Sequence, residues 1–98
     1  MSKEITLGIL YSGQLETQLI KSAKKIGGIK TIVLTDDKDG PAKHYADEFI
    51  CADLNDKRVI EKFVKKIDLC TYAFENLNYE TLKSIADTKE VHPSPDTL

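Results

Sequence analysis

The chain has 98 residues, a net charge of −2, 41% apolar and 31% charged side chains. One domain with one core is what that length supports, and the composition excludes disordered, collagen-like and disulfide-stapled chains. Fourteen cations against sixteen carboxylates leave no basic stripe for a nucleic-acid backbone, and the longest apolar run, Ile5 to Leu10, is far short of the roughly 20 residues of a membrane helix.

Met-Ser-Lys-Glu enters that run directly, without a signal-peptide cleavage region, so the expected compartment is the cytoplasm. Ile5–Leu10 is short, apolar and followed by a turn signal, which favours a buried strand over a helix. From there Leu15, Leu19, Ile20, Ala23 and Ile26 fall at helical spacing, with Lys21, Lys24 and Lys25 opposite. Gly27-Gly28 stops this helix, because glycine accepts the left-handed conformation past the last turn. The β-branched run Thr31 to Leu34 reads as a second strand, and Asp36 to Pro41 as a loop. Glu48–Cys51 is a short third strand. Asp53 to Asp56 offers caps for a helix whose apolar face is Val59, Ile60, Phe63, Val64 and Ile67, with Lys62, Lys65 and Lys66 on a solvated face. Leu69 to Phe74 makes a fourth strand, a last helix near Tyr79 to Asp87 buries Leu82, Ile85 and Ala86, and a brief fifth strand follows at Glu90 to His92.

Strands alternating with helices specify an α/β fold: a Rossmann-like three-layer sandwich on a parallel sheet of four to five strands. Its ligand rim lies at the strand ends, facing Gly13, Asp36 and Glu75. Cys51 and Cys70 stand 19 residues apart in apolar stretches without CxxC spacing, and read as two buried, inert hydrophobes. Neither His44 nor His92 has a partner at ligand spacing, so no metal site is expected. Tyr45 and Phe49 read as core.

Tyr11-Ser12-Gly13-Gln14-Leu15-Glu16 links the first strand to its helix, and such a turn aims backbone N–H groups at a ligand anion. The dinucleotide fingerprint G-x-G-x-x-G needs three glycines here, and only Gly13 is present, although Asp36 or Asp37 stands where a ribose-binding acid belongs. Glu16 admits two readings: a carboxylate that repels a pyrophosphate, or one that reaches back to cap the helix donors near Gly13.

At these residues the chain resembles the amino-terminal domain of the 5-(carboxyamino)imidazole ribonucleotide synthases, purine-biosynthesis enzymes of the ATP-grasp superfamily. Gly8-Ile9-Leu10-Tyr11-Ser12-Gly13-Gln14-Leu15 stands where that family has its GGGQLG-type turn, and Ile32-Val33-Leu34-Thr35-Asp36 where it has a strand ending V-L-D. Pro41 to Ile50 is similar to its P-A-x-x-x-A-D-E-F-I segment, Ile67 to Asn76 to its C-D-V-I-T-Y-E-F-E-N segment, and Val91 to Leu98 to its V-x-P-S-P-x-x-L close. The resemblance implies that residues 1–98 are a single Rossmann-like pre-ATP-grasp domain, with ATP and magnesium held by an ATP-grasp domain absent from this chain. No cofactor is then expected here, and the chain alone should be inactive. It also implies ribonucleotide contacts from Gly13, Gln14 and Leu15, with Glu75 and Asn76 on the same rim. For that last pair, ligand contact and helix capping both stay open. Tyr11, Ser12 and Glu16 replace glycines of the family turn, and Ala73 replaces its substrate-binding glutamate, so the substrate site is expected to be eroded. An alternative is a non-catalytic module that pairs with another chain. Either way, an apolar face is expected where the ATP-grasp domain would dock, open to a second chain or to homo-oligomerisation.

Overall fold

Ile5–Leu10 (β1), Ile29–Thr35 (β2), Glu48–Cys51 (β3), Leu69–Tyr72 (β4) and Glu90–His92 (β5) pair in parallel in the order β3-β2-β1-β4-β5. This computed structural model describes residues 5–11, 13–72, 79–87 and 89–92. Gln14–Ile26 (α1), Lys57–Lys66 (α2) and Tyr79–Ala86 (α3) are the helices, and a short 3-10 turn spans Pro41–His44. The Rossmann-like sandwich expected from the alternation of elements is thus the fold, with the full five strands.

Alternation along β1 divides the core. Ile9 packs with Val33, Ile20 and Ala42 beneath α1, whereas Leu10 packs with Ile32, Leu34, Phe63, Leu82 and Ile85 on the opposite face beneath α2 and α3. Both faces of the central strands are covered, which is why β1 and β2 are continuous apolar runs rather than polar–apolar alternations. Each fully buried Phe, Leu or Ile contributes about 1.5–3 kcal/mol through removal from water. Gly8 permits the tighter approach: a Cβ built on it would lie 2.7 Å from Phe63 Cζ and 2.8 Å from Ile67 Cδ1. The missing side chain is the space into which α2 descends.

Side-chain carboxylates extend the ladder where strands stop. Asp47 Oδ2 accepts from Thr31 N at 2.8 Å and from Thr31 Oγ1 at 3.2 Å, just before β3 begins. Asp68 repeats the device before β4: its Oδ2 accepts from Thr6 N at 2.8 Å, and its own N–H donates to Thr6 O at 2.8 Å. Asp56 caps α2, accepting from Arg58 N at 2.9 Å. Gly27 and Gly28 take φ of +81° and +73°, so the chain leaves α1 in the left-handed region that glycine was expected to supply.

Four expectations about burial are corrected. Cys51 is exposed, because β3 is an edge strand; only Cys70 is buried. Ala86 is exposed at the end of α3, while Leu82 and Ile85 are buried. Tyr45 is exposed beneath Lys21, whose Nζ lies 4.7 Å from the ring centroid; Phe49 does pack against the α1-side core. The buried face of α1 is Glu16, Thr17, Ile20 and Ala23, so Leu15 (60% exposed) and Ile26 (75% exposed) do not belong to it. Ile26 closes α1 and Ile5 begins β1, and both are exposed. Among the described residues no helix is long and apolar enough to cross a membrane.

Candidate functional site

The strand order reverses between β1 and β4: one chain path leaves β1 toward β2 and β3, the other reaches β4 and β5. In open α/β sheets the crevice outside the carboxyl ends of the strands at such a switch point is where ligands bind. Here that crevice lies after Leu10 and Tyr72, between the first turns of α1 and the end of β4. It is an open cleft of about 310 Å³ lined by Leu15, Gln18, Leu19, Ser22, Thr71 and Tyr72.

Of the predicted site residues, Leu15 lines this cleft, and Gly13 and Gln14 precede it in the chain without being among the lining residues. Gly13 is the N-cap of α1, and Gln14 opens the helix with its side chain exposed. Glu75 and Asn76, like Ser12 and Ala73, lie outside the described residues. Gln18, Ser22 and Thr71 escaped the sequence reading. The available signal was spacing: Leu15, Gln18, Leu19 and Ser22 share one helical stripe. Leu15 and Leu19 were assigned to the core by their hydrophobicity, which hid it.

The turn itself is strained and partly filled. Tyr11 takes φ of +77°, in the left-handed region where a bulky side chain costs about 1–2 kcal/mol. Its N–H donates to Leu34 O at 2.8 Å, which ties the turn to β2. The Tyr11 ring lies over Gly13, with Cε2 3.6 Å from where a Cβ on residue 13 would stand. Gly13 itself has φ −111° and ψ −169°, an extended conformation open to any residue, so the glycine is not required there by its dihedral angles.

Of the two readings of Glu16, the capping one is seen in the geometry. Its Oε1 accepts from Gly13 N at 2.9 Å, and the side chain is only 2% exposed. Gly13 has no side chain to return the bond, so this is one half of a capping box. The carboxylate also complements the positive end of α1 and takes the N–H that an incoming anion would use. Thr17 completes the turn, its Oγ1 donating to Gly13 O at 2.8 Å.

Strain at Tyr11 inverts an ordinary order of stability. Alanine normally exceeds glycine by about 0.5–1 kcal/mol inside regular structure, but Tyr11→Gly should be more stable than Tyr11→Ala by about 1 kcal/mol, since only glycine adopts this φ without penalty. Urea denaturation of the two variants measures the difference. An alanine variant at least as stable would show that residue 11 does not hold the left-handed conformation.

Beneath the cleft, on the α2/α3 face of β4, stand Cys70 and Tyr72. Burial pushes the Cys70 thiol up to about 12, which makes it an inert packing group rather than a nucleophile. Desolvation raises Tyr72 as well, and the charge of a Cys70 thiolate adds to it. The Tyr72 hydroxyl is buried without a hydrogen-bond partner among the described residues. In the loop after β2, Asp37 Oδ1 accepts from Asp39 N at 3.0 Å, so this candidate ribose ligand is engaged in its own turn. Among the described residues no cluster of metal-ligating side chains occurs.

A five-stranded parallel sheet with a cleft at its switch point and a strand–glycine–helix turn defines a Rossmann-like domain. Over residues 4–98 the sequence matches the ribonucleotide synthetase preATP-grasp domain, and the chain belongs to that family. It is 37% identical over 82 residues to N5-carboxyaminoimidazole ribonucleotide synthase of Staphylococcus aureus (strain COL), covering 84% of this chain and 22% of that protein. The corresponding synthase of Staphylococcus epidermidis (strain RP62A) is 38% identical over 87 residues, covering 89% and 22%. Among solved structures, the Thermotoga maritima synthetase superposes with a TM-score of 0.83 at 38% identity, covering 95% of this chain and 26% of that one. The Staphylococcus aureus enzyme complexed with ADP gives 0.88 at 31% identity, covering 99% and 26%. The chain therefore spans about one fifth of the length of the curated relatives it matches.

Proposed function

We propose that residues 1–98 form the amino-terminal, substrate-side domain of a purine-biosynthesis ligase that carboxylates aminoimidazole ribonucleotide with ATP and bicarbonate. The observation that carries this reading is Leu15. It is a large apolar side chain left 60% exposed on the wall of the switch-point cleft, beside Gln14 and the Gly13 turn. Its apolar surface and the Gln14 amide suit a flat heterocycle carrying polar substituents, which is the shape of the aminoimidazole. The domain's share of the reaction is to hold the ribonucleotide in place for chemistry carried out elsewhere. ATP and magnesium would be held by the rest of such a ligase. At the turn, the Gly13 N–H that a phosphate would use is already taken by the Glu16 carboxylate.

Titration of the protein with aminoimidazole ribonucleotide, followed by amide chemical shifts, tests this. The expected result is perturbation at Gly13, Gln14, Leu15 and Thr71, with Gln14→Ala weakening binding roughly fivefold, the worth of about 1 kcal/mol for one hydrogen bond. Unperturbed shifts at saturating ligand would overturn it. No phosphate release from ATP and bicarbonate is expected from this chain alone.

A second reading, a non-catalytic interaction module, is favoured by the obstruction of the turn by Tyr11 and Glu16. The two readings separate on the double variant Glu16→Gly with Ala73→Glu. Removing the carboxylate and restoring an acceptor should raise affinity for the ribonucleotide if the site is an eroded substrate site, and leave it unchanged if the domain has only a binding role.

A further inference from the structure

Independently of the proposed ribonucleotide site, we propose that the groove between β3 and α2 binds a small amphiphilic anion: a single apolar tail ending in a carboxylate, of medium fatty-acid length.

The crossover builds the groove. α2 returns antiparallel to β3, as a helix joining two parallel strands does, and Lys66 Nζ meets Glu48 Oε2 at 3.3 Å, which sets the end of the helix against the start of the strand. Between them lies a cleft of about 420 Å³, within the roughly 300–1,000 Å³ of small-molecule sites. It shares no lining residue with the switch-point cleft.

The lining is graded along that axis. Ala52, just past the end of β3, and Val59, in the first half of α2, are half-buried and apolar, as is Ile50 in the strand, with fully buried Phe63 behind them. All three cations of the lining, Lys62, Lys65 and Lys66, belong to the second half of α2. One end is therefore apolar and the other basic, and the lysine stems extend the apolar wall beneath their charged heads.

The charge at the basic end is available. Glu48 engages Lys66, whereas among the described residues Lys62 and Lys65 have no ion pair. Glu61, the one acid of α2, lines the groove on the α3 side instead, with Ser84 and Asp87. Lys62 and Lys65 stand three residues apart, as neighbours on the helix surface, so one carboxylate can accept from both ammonium groups.

Head and tail of one small molecule occupy the two ends of one groove. A tail against Ala52, Val59 and Ile50 leaves the carboxylate among the lysines, with neither part turned away. A bare anion would leave the apolar end in water, and a neutral or cationic amphiphile would leave the ammonium groups without counter-charge. A polypeptide fits less well: the wall from Val59 to Lys66 runs about 10 Å at 1.5 Å per residue, short for an interface that takes ~800 Å² a side.

The test titrates the protein with hexanoate, octanoate and decanoate, each below its micelle-forming concentration, and follows methyl and amide chemical shifts. Saturable shifts are expected at the methyls of Ile50, Ala52 and Val59 and at the Lys62 amide. Affinity should rise about two- to fourfold for each added methylene, the upper value being that of full burial. The double variant Lys62→Glu with Lys65→Glu should bind decanoate at least tenfold more weakly, and decyltrimethylammonium more tightly, than the parent. Ala52→Phe, which puts a ring into the apolar end, should flatten the series, so that decanoate binds no better than hexanoate. Equal affinity of the parent for decanol or decyltrimethylammonium would overturn the proposal, as would shifts centred on Leu15 and Thr71 or on Ile60 and Val64 instead. So would concentration-dependent shifts of the groove methyls without ligand, accompanied by a dimer in sedimentation, or tighter binding of an acidic amphipathic helical peptide than of decanoate. Ribonucleotide shifts at Gly13 to Leu15 are read separately, so failure of either proposal leaves the other standing.

Discussion

Gly8→Ala should destabilise the fold by about 1–3 kcal/mol, the range for overpacking a filled core, and Gly8→Val by more. The sign is the informative part. Inside a strand, glycine to alanine ordinarily stabilises by roughly 0.5–1 kcal/mol, through reduced freedom of the unfolded chain. Here the new methyl would sit 2.7 Å from Phe63 Cζ and 2.8 Å from both Ile67 Cδ1 and Ile67 Cγ2. Phe63 is fully buried and Ile67 nearly so, so neither can swing into solvent, and α2 must lift from β1. Because α2 bears on β1 and α3 alike, lifting it loosens the whole α2/α3 side of the core. Urea unfolding should show a lower midpoint at unchanged slope. Phe63→Leu, which shortens the obstructing ring, should recover part of the loss, so that the double variant is more stable than the two single effects summed. A higher midpoint for Gly8→Ala would mean that α2 stands further from β1 than the geometry indicates.

Gly8 also marks how far the sequence could be read. Apolar runs and their spacing were enough for five strands, three helices and their order, because each strand of a doubly covered sheet must be apolar on both faces. Burial within an element was harder to read. Leu15 lies on the helical stripe of Gln18, Leu19 and Ser22, turned away from the buried stripe of Glu16, Ile20 and Ala23, and Ile26 sits in the last turn of α1; both are exposed. Periodicity gives the direction in which a side chain points, not whether anything stands opposite. Cys51 failed for the related reason that an edge strand looks like a central one until the strand order is known. At the turn, the Glu16 cap was foreseeable from its spacing to Gly13. The left-handed Tyr11 was not, since no local rule places a tyrosine there. Backbone that violates local preference concentrates at functional turns. The resemblance places a glycine at position 11, the residue that takes such a φ without penalty.

Cys70 makes the fold sensitive to alkali, with the second of the large expected effects. An unfolded cysteine titrates near 9.0, whereas burial raises the native thiol to about 12. Between those values the unfolded chain has released a proton that the native state retains. Stability contributed by the neutral thiol is therefore complete below pH 9 and falls by about 1.4 kcal/mol per pH unit above it. Over the full window the loss approaches about 4 kcal/mol. Tyr72 acts in the same direction above its ordinary value of 10.0, because its buried hydroxyl also resists ionisation. Lysines titrate in this range too, so the parent curve alone does not isolate the thiol; the difference from Cys70→Ala does. That variant should be the less stable at pH 7, by about 1 kcal/mol for the small void left by sulfur, and should lack the thiol's alkaline loss. The two stability curves should then converge above pH 9 and cross near pH ~10, where the accumulated penalty equals the cost of the void. Native protein should meanwhile expose one thiol to a disulfide reagent at pH 8, that of Cys51, with Cys70 reacting only on unfolding. A gap between parent and variant that stays constant from pH 8 to 11, or two thiols reacting at the native rate, would mean that water reaches Cys70. The face of β4 beneath the cleft would then be open rather than closed by α2 and α3.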